Sequence, residues 1–97
     1  SALSWFTVPG GGAYAASKFG LRALADSLRA EQDGAVKVTS IHPGRTATEM
    51  QRAVRAHEGA PYDPDDLLSP EAVAATVRMA VDAPPSASID TLSIRPV

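Results

Sequence analysis

The chain has 97 residues, of which 44% are hydrophobic and 21% charged, and its formal net charge is −2. These values are typical of one small globular domain, and they do not suggest a nucleic acid or an anionic membrane as partner. The absence of cysteine excludes a disulfide framework and a thiolate metal site. No apolar run approaches the length of a membrane span, and no signal-peptide pattern is present. We therefore expect a soluble, cytoplasmic protein.

Residues 1–12 are predicted to be the end of a strand that runs into a loop. Their apolar side chains show no clean alternation, and the run PGGG at 9–12 breaks regular structure. The glycines lack the GxGxxG or GxxxxGK spacing that a phosphate-binding loop needs after a full strand. A flexible approach to the following helix is therefore favoured over a phosphate site.

Helices and short strands alternate along the rest of the chain. The helices are predicted over Ala13 to Gln32, over Thr48 to about Glu58, and from an N-cap at Ser69 to about Asp82. The strands are predicted over Val36 to Ile41 and over Ile89 to Ile94, from their β-branched and alternating residues. This order is typical of an α/β fold, in which ligands bind at the loops that follow the carboxyl ends of the strands. The loop at Pro43-Gly44 has that position.

Tyr14 and Lys18 form the most informative pair in the sequence. Residues at i and i+4 lie on one face of a helix, so the lysine ammonium is predicted beside the tyrosine phenol. A phenol has an ordinary pKa near 10, and a nearby cation favours its ionised form. The pair is therefore a candidate general acid/base, with Tyr14 moving the proton and Lys18 tuning it. The alternative is a half-buried tyrosine beside a solvated lysine.

The sequence resembles the short-chain dehydrogenase/reductase family at four places in the family's order. YAASK at 14–18 is similar to its YxxxK motif, and Ser1 stands thirteen residues before the tyrosine, as the family's catalytic serine does. HPGRTAT at 42–48 resembles its strand-end PG motif. SPEAVA at 69–74 and the strand at 89–94 resemble its last helix and last long strand.

The resemblance implies the fold and the activity. The fold would be the C-terminal portion of a Rossmann-type doubly wound parallel sheet, and residues 1–97 would be that part of a domain whose half with the nucleotide fingerprint is absent. The activity would be that of an NAD(P)-dependent oxidoreductase that interconverts a small-molecule alcohol and a carbonyl compound. The alternative function is a binding or oligomerisation module that performs no chemistry.

The resemblance also implies a role for each matching residue. Tyr14 would exchange the proton, Lys18 would bind the nicotinamide ribose, and Ser1 would hold the substrate oxygen. Together with Tyr14 and Lys18, the residues that would line the NAD or NADP cofactor are Pro43, Gly44, Thr46 and Thr48.

Three further residues have both a functional and a structural interpretation, and no metal site is predicted. His42 precedes the PG motif without a second ligand close in sequence, which favours a simple loop histidine. Met50 and Tyr62 fall in the segment that covers the substrate in this family, and they either shape a pocket or simply pack.

The two predicted strands are too few for an independent sheet. In the family they are adjacent and parallel, at one side of a sheet that is covered on both faces. The residues expected to be exposed as a result are Val36, Val38, Ile41, Leu24 and Leu28. The chain is therefore expected to associate, either with the half of the fold that it lacks or with further copies as a homo-oligomer.

Overall fold

The computed structural model describes all residues, 1–97. Two short 3₁₀ turns, three α-helices and two β-strands follow one another along the chain. In order they are the first 3₁₀ turn Ala2–Ser4, α1 Gly12–Gln32, β1 Ser40–Pro43, α2 Glu49–Glu58, the second 3₁₀ turn Pro64–Asp66, α3 Pro70–Val81 and β2 Thr91–Ile94. No helix is both long enough and apolar enough to cross a membrane.

The ends of the helices follow local sequence signals, and the three predicted helices are confirmed. The Ser69 hydroxyl accepts a hydrogen bond from the Ala72 N–H at 3.1 Å, and Pro70 opens α3. The Thr48 hydroxyl caps α2 in the same way. Helix α1 ends at Asp33, whose φ of 43° is left-handed, a conformation more often taken by glycine.

The sheet consists of β1 and β2, which pair in parallel from Ser40 opposite Thr91 to Pro43 opposite Ile94. Their adjacency and direction confirm the prediction, but both predicted spans were wrong. Residues 36–39 and 89–90 are outside the strands, because they are tied by side chains rather than by a continuous ladder. The Thr39 hydroxyl, for example, donates to the Ile89 carbonyl at 2.6 Å. Regular pairing begins only where the Ser40 N–H donates to the Asp90 carbonyl at 3.0 Å.

The prediction for the first residues was also wrong. Residues 2–4 form a 3₁₀ turn instead of the end of a strand. The Ser1 hydroxyl caps this turn by accepting from the Leu3 N–H, and the Ser1 carbonyl accepts from the Ser4 N–H at 3.1 Å. A serine in front of a short apolar segment therefore starts a turn here, because its side chain offers the backbone a local hydrogen bond that competes with pairing in a sheet.

Arg29 fastens α1 to the beginning of both strands. Its Nε donates to the Val38 carbonyl at 2.9 Å, and its Nη2 donates to the Asp90 carbonyl at 2.9 Å. Its Nη1 donates to the Asp26 carboxylate on α1 at 2.9 Å. The guanidinium can make all these bonds because it carries five donors in a rigid plane.

The molecule is open, with very little of the chain buried. Its solvent-accessible surface is 6633 Å², compared with about 5,300 Å² for a compact monomer of this mass. Its radius of gyration is 15.2 Å, compared with about 12.5 Å for a compact domain of this length. Only four residues are buried, namely Ala15, Leu68, Ser4 and His42. The chain therefore lacks the apolar core that usually stabilises a domain.

The expected exposure of apolar residues is confirmed for three of the five positions. Leu24, Leu28 and Val36 are 66%, 40% and 51% exposed. Val38 and Ile41 are half-buried instead. Both lie beside contacts that partly cover them, since Arg29 binds the Val38 carbonyl and Ile41 pairs with Leu92 in the sheet.

Candidate active site

Tyr14 and Lys18 lie in the first turns of α1, as their spacing predicted. The Lys18 Nζ is 5.4 Å from the centroid of the Tyr14 ring, close enough for a cation–π contact. Tyr14 is 39% exposed, whereas Lys18 is half-buried. The phenol is therefore open to a ligand while the cation is held beside it.

Ser1 lies on the same side of the molecule as Lys18. Both residues line a cavity of about 210 Å³ between the first 3₁₀ turn, α1 and β1. Tyr14 does not line this cavity and lies one helical turn before Lys18. The Ser1 hydroxyl accepts from the Leu3 N–H at 3.1 Å, which fixes the oxygen and leaves the hydroxyl hydrogen free to be donated.

The loop that follows β1 lies at the carboxyl ends of the two strands. The Gly44 N–H donates to the Ile94 carbonyl at 2.8 Å, and a Cβ at Gly44 would meet the Pro96 Cδ at 3.4 Å. A Cβ there would make an ordinary van der Waals contact with the chain as it leaves β2. Gly44 also lines a second cavity, of about 230 Å³, together with Ala2 of the first 3₁₀ turn.

The other predicted cofactor residues of the PG motif, Pro43, Thr46 and Thr48, line neither cavity. Pro43 is the last residue of β1 and is half-buried. The Thr46 hydroxyl donates to the Gly44 carbonyl at 3.1 Å. The Thr48 hydroxyl accepts from the Gln51 N–H at 3.1 Å and so marks the N-terminus of α2. The structure thus brings Ser1 and Lys18 together around one cavity and arranges the PG-motif residues along the adjacent strand end.

The prediction that His42 is a simple loop histidine was wrong. His42 lies within β1, is only 5% exposed and lines both cavities. Its Nδ1 is 2.6 Å from the Ser4 hydroxyl oxygen. Sequence reasoning missed this pair because the two residues are 38 positions apart and no local pattern connects them. The structure brings no three histidine, aspartate or glutamate side chains together as metal ligands.

Met50 on α2 and Tyr62 in the loop after it were predicted either to shape a substrate pocket or simply to pack. Met50 is 62% exposed. Tyr62 is half-buried, with the Arg52 guanidinium 4.4 Å from its ring centroid. Arg45 donates two hydrogen bonds to the Glu58 carboxylate, at 2.7 and 2.9 Å. The bond from Arg45 lowers the pKa of Glu58 and ties the loop after β1 to the end of α2.

Comparison with known proteins gives the family of the chain. The family model described as short chain dehydrogenase matches residues 1–59. The chain is 29% identical over 92 residues to the uncharacterized short-chain type dehydrogenase/reductase y4eK of Sinorhizobium fredii, covering 91% of this chain and 37% of that protein. The chain therefore belongs to the short-chain dehydrogenase family, and it spans little more than a third of that relative.

Two solved structures share the fold. One is the alcohol dehydrogenase of the archaeon Thermococcus sibiricus, complexed with 5-hydroxy-NADP, with a TM-score of 0.79 and 25% identity. The match covers 100% of this chain and 39% of the chain of that enzyme. Serine dehydrogenase from Escherichia coli matches 99% of this chain with 37% of its own, at a TM-score of 0.76 and 29% identity. The predicted fold class, a portion of a Rossmann-type α/β fold, is confirmed.

Proposed function

We propose that the chain carries the acid/base residues and part of the cofactor site of an NAD(P)-dependent oxidoreductase that interconverts an alcohol and a carbonyl compound. The observation that carries this proposal is the placement of Lys18. Its ammonium stands 5.4 Å from the Tyr14 ring and also lines a cavity with Ser1. A phenol beside a cation, with that cation in one cavity with a free hydroxyl hydrogen, supplies the groups that proton exchange at a substrate oxygen requires.

The proton chemistry follows from these three side chains. During reduction, Tyr14 gives its hydroxyl proton to the substrate's carbonyl oxygen, and during oxidation it accepts the proton of the alcohol. Lys18 stabilises the negative charge that remains on the Tyr14 oxygen after reduction. Ser1 donates its hydroxyl hydrogen to the substrate oxygen and keeps it in position, because its own oxygen is fixed by the Leu3 N–H.

The residues after β1 suit a dinucleotide cofactor, either NAD or NADP. Gly44 has no side chain at the strand end, where ligands of open α/β sheets bind. Thr46 and Thr48 lead into the N-terminus of α2, whose partial positive charge favours phosphate groups. Pro43, Gly44, Thr46 and Thr48 would hold the cofactor with Lys18 and Tyr14, and the bound nicotinamide would supply the hydride donor or acceptor. The NADP analogue named with the T. sibiricus structure supports the same class.

The test is Tyr14→Phe in the full-length protein. Oxidation of NADPH and NADH is followed with a panel of aldehydes and ketones. We expect turnover to fall about 10²- to 10⁴-fold, because general acid/base catalysis is removed, while NADPH binding changes little. Tyr62→Phe is the matched control, since Tyr62 is also a phenol beside a cation, but its cation, Arg52, lines neither cavity. Equal turnover of wild type and Tyr14→Phe would contradict the proposal.

The alternative function, a binding or oligomerisation module without catalysis, makes a different prediction in the same assay. Such a protein would bind or assemble normally and would show no hydride transfer to any substrate in the panel. Tyr14→Phe would then have no measurable effect, and the Tyr14–Lys18 contact would serve packing alone.

A further inference from the structure

The most enclosed polar contact of the chain lies directly behind Ser1. Ser4 and His42 are 3% and 5% exposed, and they are the only buried polar residues. They join the first 3₁₀ turn, which begins after Ser1, to β1, which leads into Pro43-Gly44. Buried polar groups in so open a molecule need an explanation, because burial of such groups is costly unless they are well bonded.

The hydrogen atoms of this cluster can be assigned by counting donors. The Ser4 hydroxyl oxygen is 2.6 Å from the Ser1 carbonyl oxygen and 2.6 Å from the His42 Nδ1. The carbonyl can only accept, so the single Ser4 hydroxyl hydrogen points at Ser1. The Ser4 oxygen must then accept from His42, which requires a hydrogen on Nδ1. The 3.2 Å distance from Nδ1 to the Ser1 carbonyl oxygen also indicates a hydrogen on Nδ1. Without that hydrogen, Nδ1 would be an acceptor facing the carbonyl, which is another acceptor.

Helix α1 holds the same turn from the other side. The Arg22 Nε donates to the Ser4 carbonyl at 2.9 Å, and its guanidinium stacks 4.1 Å from the centroid of the Trp5 ring. Ser4 is therefore held through its hydroxyl by His42 and through its carbonyl by Arg22. Lys18, one turn before Arg22 on α1, lines the same cavity.

We propose that Ser4, His42 and Arg22 are positioning residues that hold Ser1 in place relative to Lys18 and the strand end, with the His42 ring in the form that carries hydrogen on Nδ1. This inference rests on the proposed role of Ser1. Two hydrogen bonds connect the His42 ring to the Ser4 hydroxyl and the Ser4 hydroxyl to the Ser1 carbonyl. A movement of the ring therefore moves the backbone that bears the Ser1 hydroxyl. His42 acts through Ser1.

The assignment leaves the second ring nitrogen as an acceptor without a partner. The His42 Nε2 is buried and has no hydrogen-bond partner in the chain. The function of the ring is then carried by Nδ1 alone. An asparagine reproduces a donor at the position of Nδ1 and removes the buried Nε2, whereas a glutamine offers its amide at the position of Nε2. His42→Asn should therefore replace histidine better than His42→Gln.

The ring form is tested without any measurement of activity. Full-length protein labelled with ¹⁵N in histidine is studied by long-range ¹H–¹⁵N correlation at about pH 8, above the ordinary histidine pKa of about 6.5. The His42 signals, assigned by their loss in His42→Asn, should show hydrogen on Nδ1 and none on Nε2. Hydrogen on Nε2 would overturn the proposal. His57, which is exposed, provides the reference for a ring without this constraint.

The positioning role is tested by a double-mutant cycle in the same protein. His42→Leu and Ser4→Ala should each lower kcat about tenfold to 10²-fold through misplacement of Ser1, with the Kd for NADPH unchanged. His42→Asn should restore most of the loss. In a Ser1→Ala background, His42→Leu should lower kcat hardly any further, because both changes act on the same hydroxyl.

The outcomes separate the two proposals. An equal loss from His42→Leu with and without Ser1 would show a general structural role and overturn this inference. A loss of turnover in Ser1→Ala together with full turnover in His42→Leu would also overturn this inference. It would leave the proposed function intact. Full turnover in both Ser1→Ala and Tyr14→Phe would contradict the proposed function itself.

Discussion

Two stripes of α1 differ in a way that reverses the usual distribution of polar and apolar residues. The stripe toward the first 3₁₀ turn and the strands is mainly cationic and well bonded, and comprises Ala15, Lys18, Arg22 and Arg29. The second stripe carries Leu24 and Leu28, which are 66% and 40% exposed and line neither cavity. The first stripe contributes to the candidate site. The leucine stripe, in contrast, has nothing to cover it among these 97 residues, so the chain lacks the core that would stabilise it.

The largest effect should appear when the 97 residues are studied alone. With four buried residues and an exposed leucine stripe, the chain should self-associate or fail to unfold cooperatively. Sedimentation should give species heavier than the 10.1 kDa monomer. The double variant Leu24→Lys with Leu28→Lys should reduce this association. Ala30→Lys should not, because Ala30 is exposed one turn after Asp26 and Ser27, on a polar part of the helix. A compact monomer with a sharp thermal transition would contradict the expectation.

The next effect is expected at Lys18, on the cationic stripe. Lys18→Met keeps the aliphatic stem and removes the charge. In the full-length protein we expect weaker NADPH binding, measured by fluorescence titration, and turnover lower by about 10²-fold. Lys37→Met is the matched control, since Lys37 is the only other lysine and donates to the Pro84 carbonyl at 2.7 Å, outside both cavities. Equal NADPH affinity and equal turnover of the two variants would contradict the role proposed for Lys18.

A steric test on the cationic stripe should have an intermediate effect. Ala15 is 1% exposed and is the only buried residue of α1. Ala15→Leu should lower the free energy of unfolding of the full-length protein by about 1–3 kcal/mol through overpacking. Ala30→Leu, at an exposed position of the same helix, should change it by about 0.5 kcal/mol or less. Denaturant unfolding of both variants decides whether α1 is as closely packed on this side as the structure indicates.

The smallest effect belongs to an ion pair that lies outside both stripes. The hydrogen bond from Arg45 lowers the pKa of Glu58 in the folded state, so the unfolded chain binds protons first as the pH falls. The stabilisation is present above the ordinary glutamate pKa of about 4.3 and is lost as the pH falls through the lower, folded value. Glu58→Gln should flatten the pH dependence of unfolding slightly, and Glu31→Gln, which breaks no ion pair, should leave it unchanged.

The features predicted correctly from sequence are those that depend on neighbours along the chain. The Tyr14–Lys18 contact needs only helical spacing, and the start of α3 needs only Ser69 and Pro70. The strand limits were wrong because a strand exists only where a partner runs beside it, and residues 36–39 have no ladder partner. The Ser4–His42 bond could not be predicted either, because it joins positions 38 apart.

The contacts of Arg29 have a consequence for how the fold opens. One guanidinium bonds carbonyls that precede both strands, and Arg22 ties α1 to β1 through the Ser4 carbonyl and the Ser4–His42 bond. About 10 Å of helix separates Arg22 from Arg29, so α1 is anchored at two points two turns apart. Separating it from the strands requires both anchors to break. In hydrogen exchange, the amides of α1 and β1 should therefore open together as one cooperative unit rather than fray from the helix end.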